Sequence, residues 1–306
     1  MLPRHILREW IARVFAATPH FRGKHRLLNL TDRLLTNYSD PEAYMVNAGI
    51  GGAVIQLDLR SSGDRSLFYR REYEPAYIAT LRRLYRDGNF LDIGSNVGIY
   101  GVSMAPAVRA ARGRIFSVEP VPPNVARQRI NVELNRCADI VDLAQVVLGD
   151  ERGTVHIAGD FASANVNGVV IRDGDNPMYP MTTLDLLAAE RGWDNVTVVK
   201  IDTEGFDPAV LRGGEALITR CRPIILAEFN RERMRINGFS MSQSWNMLRS
   251  LGYEGFALVR GQLTAVTDPA ELENLFFIPA AEASRIHETP HIHVQHQPHR
   301  DEEHHR

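Results

Sequence analysis

From Phe90 onward the chain alternates short, continuous apolar runs with longer segments in which apolar residues return every three or four positions. Runs of the first kind, at 90–93, 114–118, 140–147, 196–201, 223–229, 253–259 and 274–278, predict buried strands. Segments of the second kind, near 98–111, 122–135, 182–191, 207–218 and 241–251, predict helices. This alternation predicts an α/β fold with a mostly parallel sheet and helices on both faces. Ahead of it, "VIQLDL" (Val54–Leu59) alternates as a half-buried strand does, and "EPAYIATLRRLYRDG" reads as a helix that stops at Gly88. No internal repeat is present.

The two ends of the chain differ from this body. In the first forty residues, seven Lys/Arg face three acids, and Ile6, Leu7, Trp10, Ile11, Val14 and Phe15 recur at helical spacing. Such an amphipathic helix commonly buries its stripe against its own protein. The other use of a Trp-bearing, Arg-rich helix is contact with an anionic membrane surface or a partner. At the far end, residues 285–306 hold seven of the eleven histidines and no apolar residues at core spacing, the composition of a disordered tail. Histidine tracts attract transition metals, but nothing fixes these ligands in space, so adventitious binding is expected. The pattern thus divides the chain into a basic helical extension (1–53), a strand and helix leading inward (54–88), the main α/β unit (89–280) and the tail (281–306).

Composition narrows the class of protein. With 306 residues, 44% hydrophobic and 24% charged, the chain is an ordinary globular one, and a formal net charge of −2 gives no reason to expect a nucleic-acid partner. Cys137 and Cys221 match no metal or redox spacing, which points to a reducing compartment. No apolar segment approaches the ~20 residues that span a bilayer. The N-terminus lacks the apolar run and small-residue cleavage site of a secretory signal. A soluble cytoplasmic protein is expected, with peripheral membrane contact through the N-terminal helix as the variant.

The candidate chemistry centres on "NFLDIGSNVGIYG" (Asn89–Gly101), a strand, a glycine turn and a helix start. In an open parallel sheet, ligands bind beyond the carboxyl ends of the strands where the strand order reverses. The turn's glycines allow close approach of backbone, and a helix N-terminus offers free N–H groups. The pattern is D-x-G-x-x-x-G from Asp92 rather than the dinucleotide G-x-G-x-x-G, and an acid at the strand end would repel a pyrophosphate. It suits a cofactor with positive groups, such as S-adenosylmethionine. The next predicted strand ends in Glu119, 21 residues beyond Gly98, where an acid accepts both ribose hydroxyls.

Two further stretches carry acids. In "VVLGDERGTVHI", Asp150 is placed either to accept a hydrogen bond from an adenine amino group or simply to shape a β-turn with Gly153. In "VTVVKIDTEGFDPAVLRGG", Asp202 and Glu204 stand two apart, on one face if the strand extends that far. Asp207 is the better N-cap for the helix that begins near Pro208, which leaves Asp202 and Glu204 for another task.

"FLDIGSNVGIYG", "FSVEPVPPNVARQRINVELN", "VVLGDERGTVHI", "TTLDLL" and "VVKIDTEGFDPAVLRGG", in this order over roughly residues 72–280, resemble the FkbM-type methyltransferases. The resemblance implies a Rossmann-like class I methyltransferase fold over 89–280, with seven strands, the last antiparallel. It also implies S-adenosylmethionine as cofactor and O-methylation of sugar or natural-product hydroxyls in glycan or secondary-metabolite modification. The family's first motif falls on Asp92, Gly94, Asn96 and Gly98, its ribose acid on Glu119, its adenine-side acid on Asp150, and its "KIDxEG" motif on Lys200, Asp202, Glu204 and Gly205. "DIGSN" stands where the family commonly has "DVGAN". The acid ending "PIILAEFN" falls on Glu228, but the histidine that relatives often carry two residues later is Asn230 here, so the resemblance does not assign the base.

Methyl transfer to a hydroxyl needs an aligned acceptor and help in removing its proton. Asp202 and Glu204, then Glu228, are the candidates for orienting the acceptor or taking the proton. A divalent metal between Asp202 and Glu228 is permitted by the carboxylates and not required by them. His156 alternates with Val155 and Ile157 as an exposed sheet-face residue does, and Trp193 and Trp245 are read as packing aromatics before sugar platforms. The polar stretch 159–181 is expected to lie over the acceptor, whose class it leaves as sugar, glycolipid or natural product. Two alternatives compete: a catalytically silent cofactor-binding scaffold, and an NAD-dependent oxidoreductase, against which Asp92 counts.

Overall fold

The computed structural model describes residues 4–18, 27, 30, 34–36, 40, 44–158, 169–171, 177–269 and 272–287. The chain begins with helix α1 (Arg4–Ala17), an antiparallel hairpin of β1 (Met45–Ile50) and β2 (Ala53–Asp58), and helices α2 (Ser62–Arg70) and α3 (Pro75–Leu84). The hairpin straddles the 53/54 boundary, and its inward residues Ile50, Ile55 and Leu57 are fully buried in one core with Phe90, Ile115 and Val198. The N-terminal region and the α/β unit therefore share a core.

Strands β3 (Asn89–Ile93), β4 (Ile115–Val118) and β5 (Val141–Ala144) alternate with helices α4 (Ile99–Ala110) and α5 (Pro122–Leu134). A second, four-stranded sheet follows, formed by β6 (Val147–Gly149), β7 (Gly153–Ala158), β8 (Val169–Ile171) and β9 (Met178–Thr183) in the order β6-β9-β7-β8. The predicted strand 140–147 is thus two strands in two sheets. Next come α6 (Leu184–Arg191), β10 (Val196–Ile201), α7 (Asp207–Gly213), α8 (Glu215–Cys221) and β11 (Ile224–Glu228). The single helix predicted over 207–218 breaks at Gly213–Gly214, where the chain passes so close to β6 that a Cβ on Gly213 would stand 1.9 Å from the Gly149 carbonyl oxygen. The chain closes with α9 (Arg231–Ile236), α10 (Met241–Ser250), β12 (Tyr253–Val259), β13 (Gln262–Val266), β14 (Asn274–Pro279) and α11 (Ala280–His287). The tail expected from 281 begins inside α11, whose Ala283 is fully buried; residues 288–306 lie outside the described ones.

The main sheet has the order β13-β12-β14-β11-β10-β3-β4-β5. Strands β11, β10, β3, β4 and β5 run parallel, and β14 is antiparallel to β11. This corrects the expected seven strands to eight. The extra edge strand β13 pairs with β12 across Arg260–Gly261, both with positive φ (50° and 79°), the two-residue turn whose twist suits a hairpin. Parallel strands buried on both faces alternate between two cores: Leu91 and Ile93 face one, Phe90 the other. From β3 the order runs one way through β4 and β5, and from β10 the other way through β11, so their carboxyl ends open the crevice where such sheets take ligands.

Candidate functional site

A cavity of about 520 Å³ occupies that crevice, within the size range of small-molecule sites. Its floor is the turn after β3. Gly94 and Ser95 donate their N–H groups to the Val118 carbonyl at 2.9 and 3.0 Å, and Gly94, Asn96 and Gly98 take φ of 69°, 50° and 83°. Glycine and asparagine are the residues that tolerate this left-handed region, which is why the turn is spelled G-S-N-V-G.

Glu119, just past the end of β4, lines the cavity and is only 5% exposed. Its carboxylate accepts from the Asn96 N–H (2.9 Å), the Val121 N–H (3.0 Å) and Asn124 Nδ2 (3.1 Å). Burial pushes its carboxyl up to about 7, against the lowering effect of these donors. Of about four acceptor positions on a carboxylate, three are filled from the chain.

Asp92 is fully buried and is not among the residues that line the cavity. Its Oδ2 accepts the Gly101 N–H at 3.1 Å, an otherwise orphaned donor in the first turn of α4, so the acid complements that helix terminus. In the register of β10 on β3, Lys200 stands directly beside Asp92. Burial raises the Asp92 carboxyl to about 6 against the pull of Lys200. Burial alone would lower the Lys200 ammonium, but Asp202 and Asp92 outweigh it and hold it above its ordinary value.

Strand β10 stops at Ile201, so Asp202 and Glu204 are not placed on one face by strand periodicity. Asp202 accepts from Lys200 Nζ at 3.1 Å, while Glu204, in the left-handed region at φ 54°, pairs with Arg233. Asp207 is the first residue of α7 rather than its N-cap: its two oxygens take the Thr203 and Gly205 N–H groups at 3.0 and 3.2 Å and so fix the T-E-G turn. Burial raises the Asp207 carboxyl to about 7. Glu228, the last residue of β11, faces the same end of the cavity. Burial, then the neighbouring Asp202 charge, push it up to about 8.

The structure thus brings Gly94, Asn96, Glu119, Asp202, Glu204 and Glu228 around one cavity, with Gly98 shaping its floor. Asp150 is elsewhere: it is ion-paired with Arg212 at 2.7 Å and does not line the cavity. His156 sits half-buried on β7 and also lies away from it. Trp193 stacks on Phe116 (4.8 Å between centroids) with its Nε1 donating to Asp142, and Trp245 packs edge-on to Phe277; both are packing residues. Asn230 caps α9 by accepting the Arg233 N–H at 3.1 Å. Of the stretch 159–181, Val170 lines the cavity, while 159–168 and 172–176 lie outside the described residues.

Other residues of the site carried no clear signal in the sequence. Tyr73 and Glu74 line it from the loop before α3, and Tyr100 donates its hydroxyl to Glu74. Glu74 has φ 41° ahead of Pro75. Part of the wall comes from α2, where Asp64 is buried in an ion pair with Arg127 at 2.5 Å. Among the described residues that line the cavity, Asp64, Glu72, Glu74, Glu119, Asp202, Glu204 and Glu228 are acids and Arg70 and Lys200 are bases, with Asp64 and Glu204 paired to Arg127 and Arg233 behind the wall. Such a cavity favours a positively charged or hydroxyl-rich ligand over a pyrophosphate. Among the described residues, no cluster of three or more His, Cys, Asp or Glu is arranged to hold a metal ion.

No curated protein matches the chain. Among solved structures, it is similar to the methyltransferase FkbM from Methylobacillus flagellatus KT at 13% identity and a TM-score of 0.44, over 90% of this chain and 58% of that one. It is also similar to the precorrin-6y C5,15-methyltransferase from Geobacter metallireducens GS-15 at 13% identity and a TM-score of 0.39, over 67% of this chain and 86% of that one. The methyltransferase FkbM domain model matches residues 92–254, which run from the buried acid of β3 through the acids at the ends of β4, β10 and β11. With more than half of its length so matched, the chain belongs to the FkbM-domain methyltransferase family.

Proposed function

We propose that the protein is an S-adenosylmethionine-dependent methyltransferase that methylates a hydroxyl group on a sugar, glycolipid or natural product. The observation that carries this reading is the buried Glu119 carboxylate, which lines the cavity at the β4 end with one acceptor position left for a ribose hydroxyl. The acid-rich lining fits the donor's ammonium and sulfonium groups and disfavours the pyrophosphate of a nicotinamide cofactor. When bound, S-adenosylmethionine supplies a methyl group made electrophilic by the positive sulfur.

The chain's own residues then have separable tasks. Glu119 and the Gly94–Gly98 turn hold the nucleoside end. Asp202, fixed by Lys200, orients the acceptor. Glu228 takes the acceptor's proton, because among the described residues it has no ion-pair or hydrogen-bond partner and its carboxyl, raised to about 8, is a stronger base than an ordinary carboxylate. Glu204 is held by Arg233 and shapes the same wall.

Calorimetric titration with S-adenosylhomocysteine and, separately, NAD tests the reading. Saturable binding of the first alone is expected, and Glu119→Gln should weaken it on the order of tenfold to a hundredfold, the weight of hydrogen bonds to a charged acceptor. Binding of neither would favour a silent scaffold, and binding of NAD alone would overturn the proposal.

A further inference from the structure

The helix α1 is predicted to be amphipathic, and the structure divides its apolar stripe in two. Leu7, Ile11 and Phe15 are half-buried beside the fully buried Ala12, whereas Ile6, Trp10 and Val14 stand 44%, 61% and 39% exposed, one helical turn apart on a common face. The helix is firmly seated on its other side. The Arg8 guanidinium is buried and donates to Thr36, and Glu9 pairs with Arg71 at 2.6 Å. An aromatic residue and two aliphatic ones are thus held rigidly outward. Leu30 and Leu34 in the same N-terminal region are 57% and 67% exposed.

The position of this face matters. Helix α1 packs on α2, and α2 is a wall of the cavity through Gly63, Asp64, Ser66 and Arg70. Arg71, the residue α1 holds through Glu9, directly precedes Glu72, Tyr73 and Glu74, which line the same cavity. Charge identifies the occupant. The first forty residues carry seven Lys/Arg and three acids in a chain whose formal net charge is −2, so the segment that bears the exposed face is basic in sequence; among the described side chains of α1, Arg8 is buried and the exposed Arg13 pairs with Glu9. Exposed Trp and aliphatic side chains on a helix within a basic segment are the chemistry of an anionic lipid interface.

We propose that the Ile6–Trp10–Val14 face seats the protein on an anionic membrane surface, with the cavity held one helix away. The inference deepens the proposed function by placing the acceptor hydroxyl on a membrane-borne molecule, and it rests on that reading only for what the cavity does. Vesicle binding itself is independent of methyl transfer.

The test is co-sedimentation of the full chain with vesicles of phosphatidylcholine alone and with added phosphatidylserine, together with tryptophan emission. The chain has three tryptophans; Trp193 is 2% exposed, Trp245 is half-buried against the core and Trp10 is 61% exposed, so a change on binding reports chiefly Trp10. The expected result is binding to the phosphatidylserine vesicles with a blue-shifted emission, weakened by added salt. Trp10→Ser and, separately, Val14→Ser should each lower the partition coefficient on the order of tenfold. The wild-type emission needs no variant, so misfolding of either cannot hide the outcome. No binding to either vesicle, or binding with unshifted emission, would overturn the proposal. So would a concentration-dependent dimer in solution that Trp10→Ser dissociates, since the face would then be an interface between copies.

Discussion

Lys200 is the residue on which the acids of the site depend. It lies in register with Asp92 on β3 and reaches Asp202 at 3.1 Å, and its Nζ stands 5.1 Å from the Tyr100 ring centre. The same cation also pulls the Glu228 carboxyl down, but there burial and the like charge of Asp202 outweigh it. The sign is clear: a carboxyl raised to about 8 holds its proton below that pH and becomes a base above it. Transfer rate should therefore rise with pH through about 8. Replacing Glu228 by Gln should remove that limb and lower kcat by about a hundredfold to ten-thousandfold, the usual weight of a general base, with S-adenosylhomocysteine affinity unchanged. A pH–rate profile of both proteins measures this. An unchanged limb in the variant would assign the base elsewhere.

The turn after β3 works because two elements approach more closely than side chains allow. Gly94 has φ 69°, and a Cβ there would stand 1.8 Å from the Asp202 carbonyl oxygen, at the point where Asp202 donates its N–H to the Ile93 carbonyl. The crevice is thus narrowest at its base, where β3 and β10 end side by side. Gly94→Ala should force the strand ends apart and pay the left-handed penalty as well, costing about 2–4 kcal/mol. Denaturant unfolding gives the loss, and a midpoint within error of wild type would mean that the turn can relax without separating the strands.

Taken over the whole molecule, the buried acids are a stability liability with a definite pH signature. Glu119 and Asp207 at about 7, Asp92 at about 6 and Glu228 at about 8 all sit above their unfolded values. Between those unfolded values and the folded ones, the native state binds more protons than the unfolded chain, so stability falls as pH rises. Lys200, a cation also raised above its ordinary value, contributes stability that is fully present throughout this window and is lost only at much higher pH. The melting temperature of the ligand-free protein should drop between pH 5.5 and 8 on the order of 5 °C. A thermal scan across pH checks it, and a melting temperature that rises over this range would show that the acids are ionised without cost.

Much of the α/β body was legible in the sequence because buried parallel strands must be continuously apolar and their helices periodic. "FLDI", "VTVVKI" and "IILAE" name β3, β10 and β11, and the acids at 119, 202, 204 and 228 follow from where those strands and β4 stop. Local pattern also spelled out the turn, since only Gly and Asn accept its dihedrals cheaply. What it did not contain were events that depend on distant partners. The division of 140–147 between two sheets, the addition of β13, the pairing of Asp150 with Arg212 and the entry of Tyr73 and Glu74 into the cavity are all of this kind. So is the split of the α1 stripe, because periodicity shows which side of a helix is apolar and not how much of that side its own protein covers. Sequence determined the conformations that each segment prefers, through sterics and burial; tertiary structure decided which charges meet, because an ion pair or a cavity wall is set by three-dimensional packing between residues far apart in the chain.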